Sequence, residues 1–316
     1  ILLLNQISVK SRKSYTTVTG KSGQISKFNL GRSGKYIIAI ILIIITFFTS
    51  IFPIVSFAFE TFLPNPGDYS FLYTGDPDNL TTKWWVTNEN ITENGMYGQQ
   101  GILYNDMIWH AYKGTIMVSV CCALTAGTIG TLIGYAVSKN RRSRWANYVN
   151  SMAFLPYLMP SIAVGVAFFI LFSNKYVNLF NTYALLIIVG TVKYIPFASR
   201  SSLNSMLQLS GEIEEAAIIQ DIPWTKRMTR IIIPIQKTSI ISGYLLPFMT
   251  CLRELSLFIL LCVQGFILST TLDYFDEMGL YAFSSGINLI LIVTILICNA
   301  LVNKVTGASL DKGIGG

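Results

Sequence analysis

The sequence predicts an all-α membrane protein with six transmembrane helices, and three observations support that fold class. Of its 316 residues, 52% are hydrophobic and only 12% are charged. The mean hydropathy is +0.53, which is typical of chains that embed much of their length in lipid. Six long apolar runs are separated by polar segments, some basic and others acidic. This composition excludes a soluble globular domain and a disordered chain.

Each apolar run is long enough to cross a bilayer, because about 20 helical residues span a hydrocarbon core of roughly 30 Å. The predicted spans are residues 36–59, 113–137, 148–172, 179–199, 238–263 and 285–302. The chain then divides into five parts: a basic linker (1–35), a first transmembrane helix (36–59), an acidic loop (60–111), a transmembrane domain (112–303) and a tail (304–316).

The distribution of charge predicts how the spans are oriented. Residues 1–35 carry seven basic and no acidic side chains, and Lys139–Arg144 carries four basic and none acidic. Residues 60–111 and 264–284 are acidic. The positive-inside rule therefore places both termini and the loop after the second span in the cytoplasm. The net charge of +7 is then a signal of topology and of contact with anionic lipid, and no nucleic acid is expected as a partner.

The acidic loop at residues 60–111 contains seven acidic residues and one lysine. It is long enough to fold as a small extracytoplasmic cap or docking surface. A solvated insertion without a folded core remains the alternative.

The sequence offers no catalytic or metal-binding pattern. All five cysteines fall in apolar runs without zinc-type spacing, which predicts inert thiols. His110 is the only histidine, so schemes that need two are excluded. We expect no enzyme activity, metal site or cofactor in this chain.

Small residues and prolines mark the second and third spans. Gly127, Gly130 and Gly134 recur at three and four residues, so they share a face that another helix can approach closely. Pro156 and Pro160 lie in the first half of the third span, where proline predicts a kink that frees carbonyl groups.

A polar, helix-prone segment from Glu215 to Pro234 lies between two apolar runs. Glu-Ala-Ala favours a helix, and Pro223 favours a helix start or a break. The pattern predicts a helix, a short turn and a second helix over Pro223–Arg230, outside the membrane. Trp224 and Met228 stand four residues apart on one face of that second helix.

This segment resembles the Glu-Ala-Ala loop of ABC-importer permeases. The family pattern is Glu-Ala-Ala, three residues, Gly, nine residues and Ile-x-Leu-Pro, and the spacing here matches at every position. Asp221 stands where the family has Gly, and Ile233 where it has Leu. Asp is among the least costly replacements if the turn needs a positive φ.

The resemblance implies a coupling role, since in that family the element sits in a groove of an ATP-binding subunit. The residues that it assigns to ATPase coupling are Glu215, Ala216, Ala217, Asp221, Pro223, Trp224, Arg227, Ile231 and Pro234. It implies a separate ATP-binding subunit, an extracytoplasmic substrate-binding protein and a second permease half or subunit in a bacterial inner membrane. For Trp224, a position at the membrane interface is the alternative to an anchor in the partner's groove.

Two further stretches resemble tandem iron(III)-type permeases. Tyr15-x-Thr17-x-x-Gly20-Lys21 is similar to their central linker, and Arg253–Ser256 is similar to a stretch typical of them. The resemblance implies that the chain is the C-terminal half of a longer permease and that its cargo is iron(III). Polyamine, thiamine and sulfate-type permeases share most of the same pattern and remain alternatives.

Three ionisable residues fall inside predicted spans and are candidates for the translocation path, because charge is costly in hydrocarbon. Lys193 lies near the cytoplasmic end of the fourth span, where a lysine can extend towards the headgroups. Arg253 and Glu254 are predicted in the middle of the fifth span, about 100° apart on its helix. A secondary transporter is the alternative class of function, although no paired broken helices are visible in the two halves. A membrane enzyme is disfavoured because no catalytic cluster is present.

Overall fold

The computed structural model describes residues 31–65, 67–70, 73, 80–91 and 98–306. Within these ranges the regular secondary structure is helical, and turns and loops join the helices. The predicted linker motif at Tyr15–Lys21 and residues 307–316 of the predicted tail lie outside the described residues. In chain order the helices are α1 (Gly31–Thr46), a π-helical turn (Phe47–Ile51), α2 (Phe52–Glu60), α3 (Lys83–Val86), α4 (Asp106–Lys139), α5 (Arg144–Leu158), α6 (Ser161–Phe172), α7 (Tyr183–Gln208), α8 (Gly211–Ile219), α9 (Trp224–Arg227), a second π-helical turn (Met228–Ile232), α10 (Ile233–Ile235), α11 (Lys237–Leu252), α12 (Leu268–Glu277) and α13 (Tyr281–Thr306).

The described residues form two compact units, which divide between Ser56 and Phe57. The first contains α1, which begins at Gly31 and so overlaps the last residues of the predicted linker. With the π-helical turn and α2 it makes a candidate span over Ser33–Glu60, of 28 residues and mean hydropathy 2.8. This candidate contains the predicted first span.

The longest helix of the second unit is α4, with 34 residues. Asn105 caps its start by accepting a hydrogen bond from the Ile108 amide at 3.2 Å, and Asp106 and Lys139 complement the helix dipole at its two ends. At 1.5 Å per residue, α4 is roughly 50 Å long and extends beyond the hydrocarbon core. The predicted second span is therefore the middle of a longer helix.

The predicted glycine face of α4 is confirmed, and two helices approach it. A Cβ atom added at Gly134 would lie 2.7 Å from the Leu203 amide nitrogen of α7, and Gly130 lies equally close to Ser199. Gly127 lies against the ring of Tyr244 on α11. These glycines let α4, α7 and α11 form the centre of the second unit.

The predicted third span is broken. Helices α5 and α6 meet at an angle of 102° after Met159, where Pro160 stands as the residue before α6. Proline cannot donate a backbone hydrogen bond, so the chain turns at this point and leaves carbonyls at the end of α5 without helical partners. The prolines do more than kink a continuous helix.

The predicted fifth span is shorter than expected. Helix α11 ends at Leu252 rather than near residue 263, and the following residues form turns until α12 begins at Leu268. Four helices in the described ranges are long and apolar enough to cross a membrane, and six spans are reached if the two bent pairs, α5–α6 and α9–α11, each count as one. Six spans and cytoplasmic termini therefore stay predictions.

The loop between α2 and α4 contains a folded portion. The Trp84 indole donates a 2.7 Å hydrogen bond to the Leu63 carbonyl, and its ring packs 5.8 Å from that of Phe283 on α13. Ile102 is fully buried beneath it. The described parts of this loop thus form a small cap on α4, α12 and α13 rather than a solvated insertion.

Candidate coupling segment and translocation path

Residues 211–235, which we call the coupling segment, form the predicted helix, turn and helix. Helix α8 starts after Ser210, whose hydroxyl accepts from the Glu212 amide at 3.4 Å. The second arm runs through α9, a π-helical turn and α10, and bends by 87° into α11 next to Gln236. Pro234 thus lies just before the bend, where the sequence predicted the end of the unit.

The turn between the two arms has a glycine-type backbone at Asp221, with φ of +52°. The Asp221 amide donates to the Ile218 carbonyl at 2.9 Å, and the Ile222 amide donates to the Ala217 carbonyl at 3.1 Å. This hydrogen-bond pair is the Schellman ending of a helix, which usually has Gly at the left-handed position. The turn does require a positive φ, and Asp adopts it where the family has Gly.

The second arm buries one face and exposes the other. Met228 and Ile232 are buried with Met206 and Ile240, so this arm packs against α7 and α11. Trp224 is 42% exposed, and its ring lies 6.2 Å from that of Tyr135 on α4. Its inner face therefore contacts α4, and the rest of the side chain is open.

A buried carboxylate that the sequence analysis missed lies at the centre of this segment. Glu214 is buried and forms an ion pair with Lys139, and the Tyr135 hydroxyl donates to its Oε1 at 2.5 Å. The Arg227 Nε lies 3.9 Å from the same oxygen. Its Nη1 donates a 3.1 Å hydrogen bond to the Ile222 carbonyl. Burial alone would raise the pKa of Glu214, but the hydrogen bonds from Lys139 and Tyr135 and the nearby positive charges hold it below its ordinary value.

The neighbouring Glu215, which the motif selected, is exposed. Glu214 and Ala217 stand three residues apart on the inner face of α8, and both are buried. The sequence alone does not distinguish Glu214 from Glu215, because the partners of Glu214 on α4 are distant in sequence.

The outer face of the coupling segment is partly apolar. Ile219 is 82% exposed and Ile218 is 50% exposed. Glu215, Ala216, Pro223, Lys226 and Arg230 are also exposed on this segment. Ile231 is partly buried and Pro234 is exposed. The residues that the resemblance assigned to ATPase coupling therefore lie partly on the packed face and partly on the open face.

Lys193 lies at the break between α5 and α6. Its Nζ donates to the carbonyl oxygens of Met159, at 2.7 Å, and Pro156, at 3.1 Å. The expectation that Lys193 lies near the end of its helix is wrong, because α7 continues to Gln208. The ammonium group is buried against the carboxyl end of α5 instead of extending to the headgroups.

Arg253 and Glu254 do not lie within a helix, so their predicted positions are wrong. Arg253 caps the end of α11 and is exposed, and Glu254 begins the turn that follows. The Glu254 carboxylate accepts from the Tyr194 hydroxyl at 3.0 Å and from the Leu257 amide at 3.1 Å. Its backbone carbonyl accepts from Ser269 at 2.8 Å, so Glu254 joins α7 to the turn and to α12.

Consecutive residues of α7 connect the α5–α6 break to the turn after α11. Lys193 faces the α5–α6 break, and the adjacent Tyr194 contacts Glu254. Across the described residues, no three His, Cys, Asp or Glu side chains are grouped in a way that would hold a metal ion.

The fold and this site define a class: a multi-pass helical membrane protein in which a packed helix–turn–helix segment joins two apolar helices. Within that class, the chain belongs to the family described as binding-protein-dependent transport system inner membrane component, which it matches over residues 126–308, more than half its length. It is a type I ABC-importer permease.

Known relatives include permeases for different cargoes. A permease protein of Haemophilus influenzae assigned to ferric transport is 24% identical over 263 residues and covers 83% of this chain. The putrescine transport system permease protein of Escherichia coli is 26% identical over 204 residues, which are 62% of this chain and 68% of the relative. This chain spans only 38% of the ferric relative's length.

The fold also matches a solved structure. A bacterial alginate ABC transporter in complex with an alginate pentasaccharide-bound periplasmic protein contains a chain that superposes with a TM-score of 0.60 at 15% identity. The superposition covers 87% of this chain and 96% of that one. At this identity the match establishes the fold alone.

Proposed function

We propose that the chain moves cargo across the bacterial inner membrane, driven by ATP hydrolysed in a separate subunit that docks on the coupling segment. The observation that carries the proposal is the combination of an anchored inner face and an open, partly apolar outer face on residues 211–235. Met228 and Ile232 are buried, and Ile219 is 82% exposed. Such a surface suits a partner that desolvates a few anchor residues.

The charge distribution supports a cytoplasmic position for this segment. Lys139–Arg144, with four basic residues, begins at the last residue of α4, and Lys139 contacts the coupling segment through Glu214. Basic residues concentrate on the cytoplasmic side of membrane proteins. On this topology the two termini are cytoplasmic, and the cap between α2 and α4 faces the outside.

The coupling segment is well placed to pass a movement into the membrane, because it connects α7 directly to α11. ATP-driven closure of two partner subunits would displace the segment. The displacement would reach α7 where it leads into α8, and α11 at the 87° bend near Gln236. The glycine contacts of α4 with α7 and α11 would carry it further. Two discrete arrangements of packed helices are the usual way in which such a displacement is amplified.

The region around Lys193, Arg253 and Glu254 is our candidate for the translocation path. Non-helical backbone at membrane depth is tolerated where it is buried in protein or lines a water-filled cavity. Both breaks fulfil that condition through polar contacts, Lys193 at the end of α5 and Glu254 after α11. Arg253 is exposed, which fits a surface that faces a second permease half.

The external partner of this system would be a substrate-binding protein, and the alginate transporter with its periplasmic protein provides the structural precedent. The folded cap around Trp84 is the surface that we assign to its docking. The cap belongs to an acidic loop, and a basic patch on the binding protein would therefore complement it.

Iron(III) is the cargo that we propose first. The ferric permease of Haemophilus influenzae covers 83% of this chain, whereas the putrescine permease covers 62%. A polyamine is the second candidate because of the putrescine permease match. Family membership counts against the alternative of a secondary transporter.

The proposal is tested with the chain, its ATPase and its binding protein in proteoliposomes. Uptake of radioactive iron(III) should require ATP on the cytoplasmic side and should stop with a non-hydrolysable analogue. A parallel assay with radioactive putrescine distinguishes the two cargoes. Uptake that persists without ATP would contradict the proposal and favour a secondary transporter.

A further inference from the structure

The Glu214 carboxylate connects three helices at the point where the coupling segment meets the membrane domain. Its own helix is α8, Tyr135 and Lys139 belong to α4, and Arg227 belongs to α9. Tyr135 and Lys139 stand four residues apart and so share one face of α4. One buried carboxylate thus receives two groups from the last turns of the longest helix and one from the opposite arm of the segment.

These contacts are directional, in contrast to the apolar packing around them. The Met206, Met228, Ile232 and Ile240 cluster fills the space between the second arm, α7 and α11. Apolar side chains can slide and repack at moderate cost, whereas a charge-assisted hydrogen bond keeps its length and angle. The side chain of Glu214 is only 6% exposed, so water does not readily replace these partners.

Helix α4 has no covalent connection to the coupling segment nearby, because α5, α6 and α7 lie between them in sequence. A displacement of the segment reaches α7 and α11 through the chain itself. It reaches the end of α4 directly through the Glu214 cluster and the Tyr135–Trp224 ring contact, and indirectly through the packing of α4 against α7 and α11.

We propose that Glu214 is a positioning residue that makes α4 and the coupling segment move as one body, so that a displacement by the ATPase is passed to α4. This inference rests on the proposed function, and it assigns the transmission to the buried Glu214 rather than to the exposed Glu215 of the motif. Without the carboxylate, the segment follows its partner while the end of α4, held only by its packing against α7 and α11, moves less. ATP is then hydrolysed with little transport.

The test compares Glu214→Gln with Glu277→Gln in the complete importer, reconstituted in proteoliposomes. The first change removes the buried charge and nearly preserves the shape, and the second makes the same change at an exposed position of α12, outside the coupling segment. We expect cargo uptake per ATP hydrolysed to fall at least about fivefold in E214Q, with the ATPase still bound, and to stay at the wild-type value in E277Q.

Lys139→Gln provides a second variant, which removes the ion pair at a more exposed position and carries the test if E214Q fails to assemble. The double variant should lose no more coupling than E214Q alone, because both changes break one contact. Unchanged uptake per ATP hydrolysed in both Glu214→Gln and Lys139→Gln would overturn the inference.

A distance measurement separates this role from a loss of stability. Spin labels at Thr225 in the coupling segment and Arg141 after α4, both exposed positions, report the distance between the two elements. We expect that distance to be the same with and without ATP in the wild-type importer and to change on ATP binding in E214Q. An ATP-independent distance in E214Q would contradict the inference. Failure of the proposed function would instead appear in the wild-type protein, as uptake that does not depend on ATP.

Discussion

Lys193 closes the carboxyl end of α5 by donating its Nζ to the Met159 carbonyl at 2.7 Å. The Pro156 carbonyl, one helical turn earlier, accepts a second bond at 3.1 Å. The last carbonyls of a helix lack partners and carry partial negative charge, so an ammonium group is favoured there even when buried. This explains how a charged side chain is accommodated inside a bundle of apolar helices.

Replacing Lys193 with Met should destabilise the protein by about 2 kcal/mol, because the Met159 and Pro156 carbonyls lose a charged hydrogen-bond donor. Thermal unfolding of the purified protein in detergent measures this effect as a lower Tm. Lys237→Met, at an exposed position at the start of α11, is the matched control and should leave Tm within about a degree. Equal Tm values for the two variants would contradict the role assigned to Lys193.

Replacing Asp221 with Gly should stabilise the turn by about 1 kcal/mol, because Gly adopts its φ of +52° without steric cost. The same change at Gln220, where φ is −86°, should destabilise by roughly 0.5–1 kcal/mol, since Gly there only adds freedom to the unfolded chain. Denaturant unfolding of the two variants should give effects of opposite sign. A destabilised D221G would show that the Asp221 side chain has a role beyond its backbone conformation.

The Glu214 cluster predicts how stability depends on pH. Its pKa is lowered in the folded state, so the carboxylate contributes stability above its unfolded pKa of about 4.3, and that stability is lost as pH falls through the lower folded value. The difference in Tm between wild type and Glu214→Gln should therefore be constant from pH 8 to about pH 5.5 and should shrink below about pH 4.5. A difference that grows on acidification would contradict the assignment.

The close approach of α4 and α7 predicts a strong effect at Gly134. A methyl group there meets the Leu203 amide nitrogen at 2.7 Å, and backbone cannot move aside as a side chain can. Gly134→Ala should destabilise by about 1–3 kcal/mol and reduce the yield of folded protein. Ala136→Val, on an exposed part of the same helix, adds two methyl groups without a collision and should change the yield little.

Features that depend on local sequence were predictable. The glycine spacing predicted the face of α4 on which other helices pack, and α7 and α11 lie there. The Glu-Ala-Ala spacing predicted a turn at Asp221 that favours Gly. Both are rules about a few neighbouring residues, in which the backbone geometry itself selects the side chain. For the same reason Pro223 correctly marked the start of the second arm.

Features that depend on distant partners were not predictable in this way. Glu214 differs from Glu215 only through Tyr135 and Lys139, which lie far away in the sequence. The end of α11 at Leu252 was missed because the residues after Glu254 are as apolar as a helix in lipid, and their turns are stabilised by contacts with α7 and α12. Hydropathy reports burial, and here the buried chain is partly non-helical.

Docking of an ATPase on the outer face of the coupling segment is tested most directly by placing a charge at Ile219, the most exposed apolar residue of that face. Ile219→Asp should lower the amount of ATPase that co-purifies with the chain by about tenfold or more, because the carboxylate would have to be desolvated in the interface. Asn147→Asp adds the same charge on an exposed part of α5 and should retain the ATPase. Wild-type ATPase binding together with undiminished cargo uptake in I219D would contradict the account.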